Sequence, residues 1–122
     1  MRTRAISASA CLAACFCAAP ASAAENAGAW RVIQSSEFRQ GFVAGIASYL
    51  LDLPDGGQGA AVLRAGYAEC LAGRTDRSLL DVVDAYMERH PQTATYMPAA
   101  VTTLALTELC APYVPQAPVM PP

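Results

Sequence analysis

Two cysteines in the body of this 122-residue chain constrain its fold more than any other feature. Cys11, Cys15 and Cys17 sit inside an apolar N-terminal stretch, and only Cys70 and Cys110 lie beyond it. The stretch opens with Arg2 and Arg4 and closes on Pro20-Ala21-Ser22-Ala23-Ala24. A basic start, a short apolar run and small residues before a cleavage point describe a secretory leader over residues 1–24. Its removal leaves about 98 residues with an even pair of cysteines, and in an oxidising compartment such a pair is most simply one disulfide. Closing a loop of about 40 residues stabilises by roughly 4 kcal/mol in the chain-entropy model. A domain of this size buries little more than about 60% of its unfolded surface, so a staple matters to it.

The same leader implies export to the periplasm. Leu12-Ala13-Ala14-Cys15 offers an alternative ending, a lipoprotein box that would place a lipid on Cys15. Beyond the leader there is no second apolar segment long enough to span a membrane. The charge balance argues against nucleic acid. Lysine is absent, and without Arg2 and Arg4 six arginines face ten acidic residues, a net charge of about −4. Phosphate recognition needs clustered basic side chains.

Periodicity points to helices throughout. Residues 25–34 form a lead-in whose Trp30, Val32 and Ile33 are candidates to dock on a core. Ser35 or Ser36 is placed to cap a helix, with Glu37 in its first turn. Phe38, Phe42, Ile46, Tyr49, Leu50 and Leu53 recur at helical spacing on that helix, and Pro54-Asp55-Gly56-Gly57 stops it. Residues 58–73 favour a helix through Val62, Leu63, Gly66, Tyr67, Cys70 and Leu71, although three glycines weaken it. Thr75 or Asp76 caps the next helix, with Leu79, Leu80, Val83, Tyr86 and Met87 inward and Asp81, Asp84 and Glu88 outward. Arg89 and His90 lie in its last turn, where positive charge suits the dipole. Pro98 can open a final helix to Cys110 that is apolar nearly all round and should be the most buried element. Five prolines in residues 111–122 make the tail from 113 to 122 an extended, disordered segment. No stretch alternates with period two. The expectation is an all-α bundle of about four helices over residues 35–112, with one disulfide.

Recognisable catalytic signatures are absent. There is one histidine, His90, with no HExxH, no paired CxxC and no glycine-rich phosphate loop around it. No cofactor, metal site or catalytic residue is expected, and the chain reads as a binding module and not an enzyme. Gly41 and Gly45, one turn apart, let another helix approach closely, either within the bundle or across a dimer face. Two segments are candidates for recognition. One runs from Leu53 to Gly59 with Asp55 and Gln58. The other runs from His90 to Met97 with Gln92, Thr93, Thr95 and Tyr96. The second carries an amphipathic aromatic suited to anchoring an interface, unless Tyr96 simply packs on the bundle.

Several segments line up with one family. Gly41-Phe42-Val43-Ala44-Gly45-Ile46-Ala47 resembles the GYVAGV-type stretch of the Rap/Tai immunity proteins of type VI secretion systems. Cys70-Leu71 followed by Thr75, Leu79, Leu80, Val82 and Val83 resembles the family's next block. Tyr86-Met87-Glu88-Arg89-His90-Pro91 is similar to its YLxxHP helix end, and Ala99-Ala100 through Ala105-Leu106 to Cys110 to its last helix. The likeness covers about residues 35–112 in order and spacing. The chain departs from the pattern at Gln40, where many members have a further cysteine, and at Ala72, where many have proline. The resemblance implies a small periplasmic helical protein, often a homodimer, that binds and inhibits a peptidoglycan-cleaving amidase toxin by occluding its catalytic cleft. A small periplasmic chaperone of the acid-stress kind, also helical and held by one disulfide, or a structural accessory protein is the alternative.

Overall fold

The computed structural model describes residues 26–53 and 58–115. Residues 1–25, which hold the expected leader with Cys11, Cys15 and Cys17, the candidate residue Asp55 and residues 116–122 lie outside the described residues. Within them the chain forms five α-helices and no strand: α1 (Ala27–Ile33), α2 (Ser36–Leu51), α3 (Gln58–Leu71), α4 (Asp76–Arg89) and α5 (Pro98–Cys110). Short 3-10 turns at Pro91–Thr95 and Ala111–Tyr113 follow α4 and α5. The all-α bundle is as the periodicity indicates, and Cys70 and Cys110 are joined in a disulfide with their Cα atoms 5.4 Å apart.

Each helix boundary has a local cause. The Ser35 side chain accepts the Phe38 N–H at 3.2 Å and opens α2. Thr75 and Ser78 form a reciprocal capping box at α4: Oγ1 of Thr75 accepts the Ser78 N–H at 3.1 Å, and Oγ of Ser78 accepts the Thr75 N–H at 3.0 Å. Two orphan donors are thereby satisfied at once. α3 ends where Gly73 takes φ 72°, a left-handed conformation that only glycine adopts without strain. Arg74 covers the carbonyl of Cys70 at 3.0 Å.

The core gathers the inward faces of all five helices. α4 contributes Leu79, Leu80, Val83, Tyr86 and Met87, as its spacing requires. α5 supplies Val101, Thr102, Ala105, Leu106 and Cys110. It is not apolar-buried all round, because Leu104 remains 41% exposed. Thr102 is fully buried, and its hydroxyl donates to the Pro98 carbonyl at 2.8 Å, so that hydroxyl is not stranded.

Four expectations need correction. The lead-in is a helix, α1, capped by Asn26 accepting the Ala29 N–H at 2.9 Å. It docks through Ala27 and Trp30, while Val32 and Ile33 are 84% and 60% exposed. On α2 the buried side is Arg39, Val43, Ala47 and Leu50, one step round from the aromatic stripe, so Phe38 and Tyr49 are 54% and 61% exposed. Arg39 is tolerated inside because Asp84 pairs with it and its guanidinium stacks 4.7 Å from the Trp30 ring centre. Asp84 is therefore not a solvated outer residue: it also faces Arg31 at 3.5 Å. Gly41 and Gly45 are exposed, and a Cβ at either would meet nothing within 4 Å, so neither serves packing inside the bundle.

Residues 111–114 seat on the bundle more closely than the proline content of this region suggests. After the 3-10 turn, the Val114 N–H donates to the Cys110 carbonyl at 3.2 Å and its side chain packs on the core. This brings the backbone of Tyr113 against Gly66 of α3, where a Cβ would lie 2.6 Å from the Tyr113 oxygen. Glycine is required there for close approach.

Candidate functional site

The segment between α4 and α5 is the best-defined of the two candidates. α4 ends because Pro91 has no N–H to continue the ladder. His90 is its C-cap, with its own N–H bonded to the Tyr86 carbonyl at 3.0 Å. The His90 carbonyl then accepts twice from Thr93, from the backbone N–H at 2.9 Å and the hydroxyl at 2.7 Å. The Tyr96 N–H returns to the Thr93 carbonyl at 3.0 Å, and the Thr95 hydroxyl to the Gln92 carbonyl at 3.0 Å. Beyond the turn, the Tyr96 carbonyl accepts the Ala27 N–H at 2.7 Å. Gly28 of α1 backs the turn, since a Cβ on it would sit 3.2 Å from that of Ala94. The turn is thus fixed at both ends, by α4 on one side and by α1 on the other.

These bonds divide the candidate residues. Gln92 and Thr95 are exposed, and Tyr96 is 43% exposed. Thr93 is 2% exposed, so it builds the turn and cannot meet a partner. His90 is half-buried. Its ring lies 4.4 Å from that of Tyr86, and its Nε2 is 3.4 Å from Oε2 of Glu108. Arg89 takes the other oxygen of Glu108 at 2.6 Å. The hydrogen bond from the Arg89 guanidinium holds the Glu108 carboxyl below its ordinary range. Met97, 68% exposed, belongs to the same surface. It closes the candidate segment and, standing before Pro98, is the N-cap residue of α5.

The second candidate is only partly described: Gln58 opens α3 and Asp55 lies outside the described residues. Arg64 of α3 reaches back to the Leu53 carbonyl at 2.5 Å. The two candidate segments are built on different helix connections, one between α2 and α3 and the other between α4 and α5.

Chemically, His90 and Glu108 are a histidine–carboxylate pair, half of a general-base arrangement. The nearest hydroxyl in sequence, that of Thr93, is buried and donates to the His90 carbonyl, and both described cysteines are in the disulfide. Among the described residues no group of three or more His, Cys, Asp or Glu side chains could hold a metal ion. None of the helices among them is long and apolar enough to cross a membrane. No protein-family model, curated protein or solved structure matches this chain. The likeness to the Rap/Tai family rests on the sequence motifs.

Proposed function

We propose that this chain is an exported binding protein, an immunity-type inhibitor that occludes a cell-wall amidase toxin. The observation that carries the reading is the turn at Pro91–Thr95 with its exposed flank Gln92, Thr95, Tyr96 and Met97. An aromatic and a methionine are displayed on backbone that is already bonded at both ends. Binding through such a segment loses little conformational entropy, the condition under which a small surface gives useful affinity. Amphipathic aromatics of this kind serve as interface anchors. The family resemblance supplies the partner: a toxin whose catalytic cleft accepts the projecting turn.

The test is protection. A sensitive strain making the cognate amidase in its periplasm should survive with the wild-type protein and die with Tyr96→Ala, while circular dichroism shows the variant folded. If wild type neither binds nor protects against the toxin encoded beside it, the immunity reading fails.

One observation favours a second reading, an acid-stress chaperone. Carboxylates tie the helices together: Asp84 holds Arg31 and Arg39, and Glu108 holds Arg89. Protonating them would loosen the bundle and expose its core. On that reading, acid should release a dye-binding, client-binding state. A cooperative acid transition with no gain in dye binding speaks against it.

A further inference from the structure

α2 carries an apolar face that the bundle leaves uncovered. Phe38, Gly41, Gly45 and Tyr49 follow one another at three- and four-residue steps and so lie along one side of the helix. The two aromatics are 54% and 61% exposed, and both glycines are exposed. The glycines have no internal explanation. Neither has a positive φ, and a Cβ on either meets nothing within 4 Å. Glycine in a helix interior is unfavourable relative to alanine, yet two stand one turn apart between two exposed rings. A floor without side chains, walled by aromatics, suits the close approach of another helix.

Charge defines what that helix should be. The face begins at Glu37 and ends at Asp52, both exposed, about 22 Å apart along the helix at 1.5 Å per residue. Among the described residues neither is ion-paired. Arg39, the one cation on α2, is buried against Asp84 on the opposite side. A second copy of this chain is a poor occupant. Antiparallel, it would set Glu37 against Asp52 at both ends; parallel, each would meet its twin. We infer that the Phe38–Gly41–Gly45–Tyr49 face of α2 docks a cationic amphipathic helix of a partner protein, with basic residues near both of its ends. This rests on the reading of the chain as a binding module, and it names the partner's chemistry at a surface separate from the Pro91–Thr95 turn.

The experiment uses the full-length, disulfide-intact protein and a dye-labelled 18-residue helical peptide of leucine, alanine and lysine. The peptide has an alanine seam and lysines in its first and last turns; a glutamate-for-lysine version is the control. Fluorescence anisotropy at low salt should show binding of the cationic peptide alone, weakened by salt. Gly45→Leu, which fills the floor, should weaken it at least tenfold with the helical circular dichroism unchanged. The double variant Glu37→Lys with Asp52→Lys should do the same. Asp76→Lys with Asp81→Lys, an equal charge change on exposed residues of α4, should leave it within twofold. Tyr96→Ala should bind like wild type.

Absence of binding, equal binding of the acidic peptide, or equal weakening by the α4 variant overturns the inference. So does light scattering that shows a dimer dissociated by Gly45→Leu, which would make a second copy the occupant. If Tyr96→Ala alone abolishes peptide binding, the turn is the site and this inference fails while the binding-module reading stands. If the peptide maps to α2 but no toxin is neutralised, the immunity reading fails and this one stands.

Discussion

α3 and α4 are both fourteen residues long, and they are held in place by different means. α4 has a reciprocal cap, a charge-matched first and last turn, and five buried apolar side chains spread from Leu79 to Met87. Its sequence alone specifies which way it faces. α3 buries only Gly66, Tyr67, Cys70 and Leu71, all in its second half. Its first half, with Gly59, Ala61 and Val62 exposed, has no buried residue among those described. Beside its packing on α2, α3 is tied to the bundle by the disulfide from Cys70 to Cys110, the seat of Tyr113 and Val114 on Gly66, and the contact of the Tyr67 and Thr107 hydroxyls at 3.4 Å. A helix with a weak pattern can still be part of a fold when a covalent bond replaces missing burial.

The largest expected effect breaks that bond. Reduction, or Cys110→Ser, should lower stability by about 4 kcal/mol, the chain-entropy value for a 40-residue separation. Urea unfolding of oxidised and reduced protein measures it. Amide exchange sharpens the comparison: α3 should lose protection well below the denaturant needed to open α4. If both helices lose protection together, α3 is held as firmly by packing as α4 is, and the contrast fails.

This contrast also explains what the sequence made legible. α4 was readable from end to end because local propensity, capping and burial agree there. α1 was not, because a seven-residue helix held by Ala27 and Trp30 offers too few positions for a period. The buried face of α2 was displaced because Arg39 reads as a surface residue in any hydrophobicity pattern. Only the partners Asp84 and Trp30, distant in sequence, make its burial affordable in energy. Thr93 reads as a contact residue in sequence, yet it is buried, for a related reason. A threonine whose hydroxyl bonds to the backbone three residues earlier can be buried without a penalty. The candidate turn is legible through Tyr96, but its fixation by α1 is not, because it runs through the Tyr96 carbonyl.

A smaller effect probes how closely the chain end seats on α3. Gly66→Ala should destabilise by about 1–3 kcal/mol, since the new Cβ would fall 2.6 Å from the Tyr113 oxygen and 3.2 Å from its carbonyl carbon, both backbone. Gly59→Ala, on the same helix, meets nothing within 4 Å and should be neutral or stabilising by up to about 1 kcal/mol. Opposite signs in thermal unfolding would confirm that α3 depends on a point of contact and not on helix propensity. Two changes of the same sign would remove Gly66 from the account.

The smallest effect tests the other side of the comparison, whether the end of α4 owes anything to its surface charges. Glu108 on α5 receives Arg89 at 2.6 Å and lies 3.4 Å from His90. Arg89 lowers the Glu108 pKa in the folded protein, chiefly through their hydrogen bond. A carboxylate whose folded value lies below its unfolded value stabilises fully above the unfolded value. That contribution is lost as the pH falls through the folded one. The stability difference between wild type and Glu108→Gln should therefore be present at neutral pH and close on acidification. It should also shrink in high salt, because all three side chains are substantially exposed. Urea midpoints measured from neutral pH down into the acid range give the comparison. A difference that widens toward low pH would mean that the Arg89–Glu108 pair is not what Glu108 contributes. A difference absent at every pH would mean that α4 is held by its buried face alone, which is the stronger form of its contrast with α3.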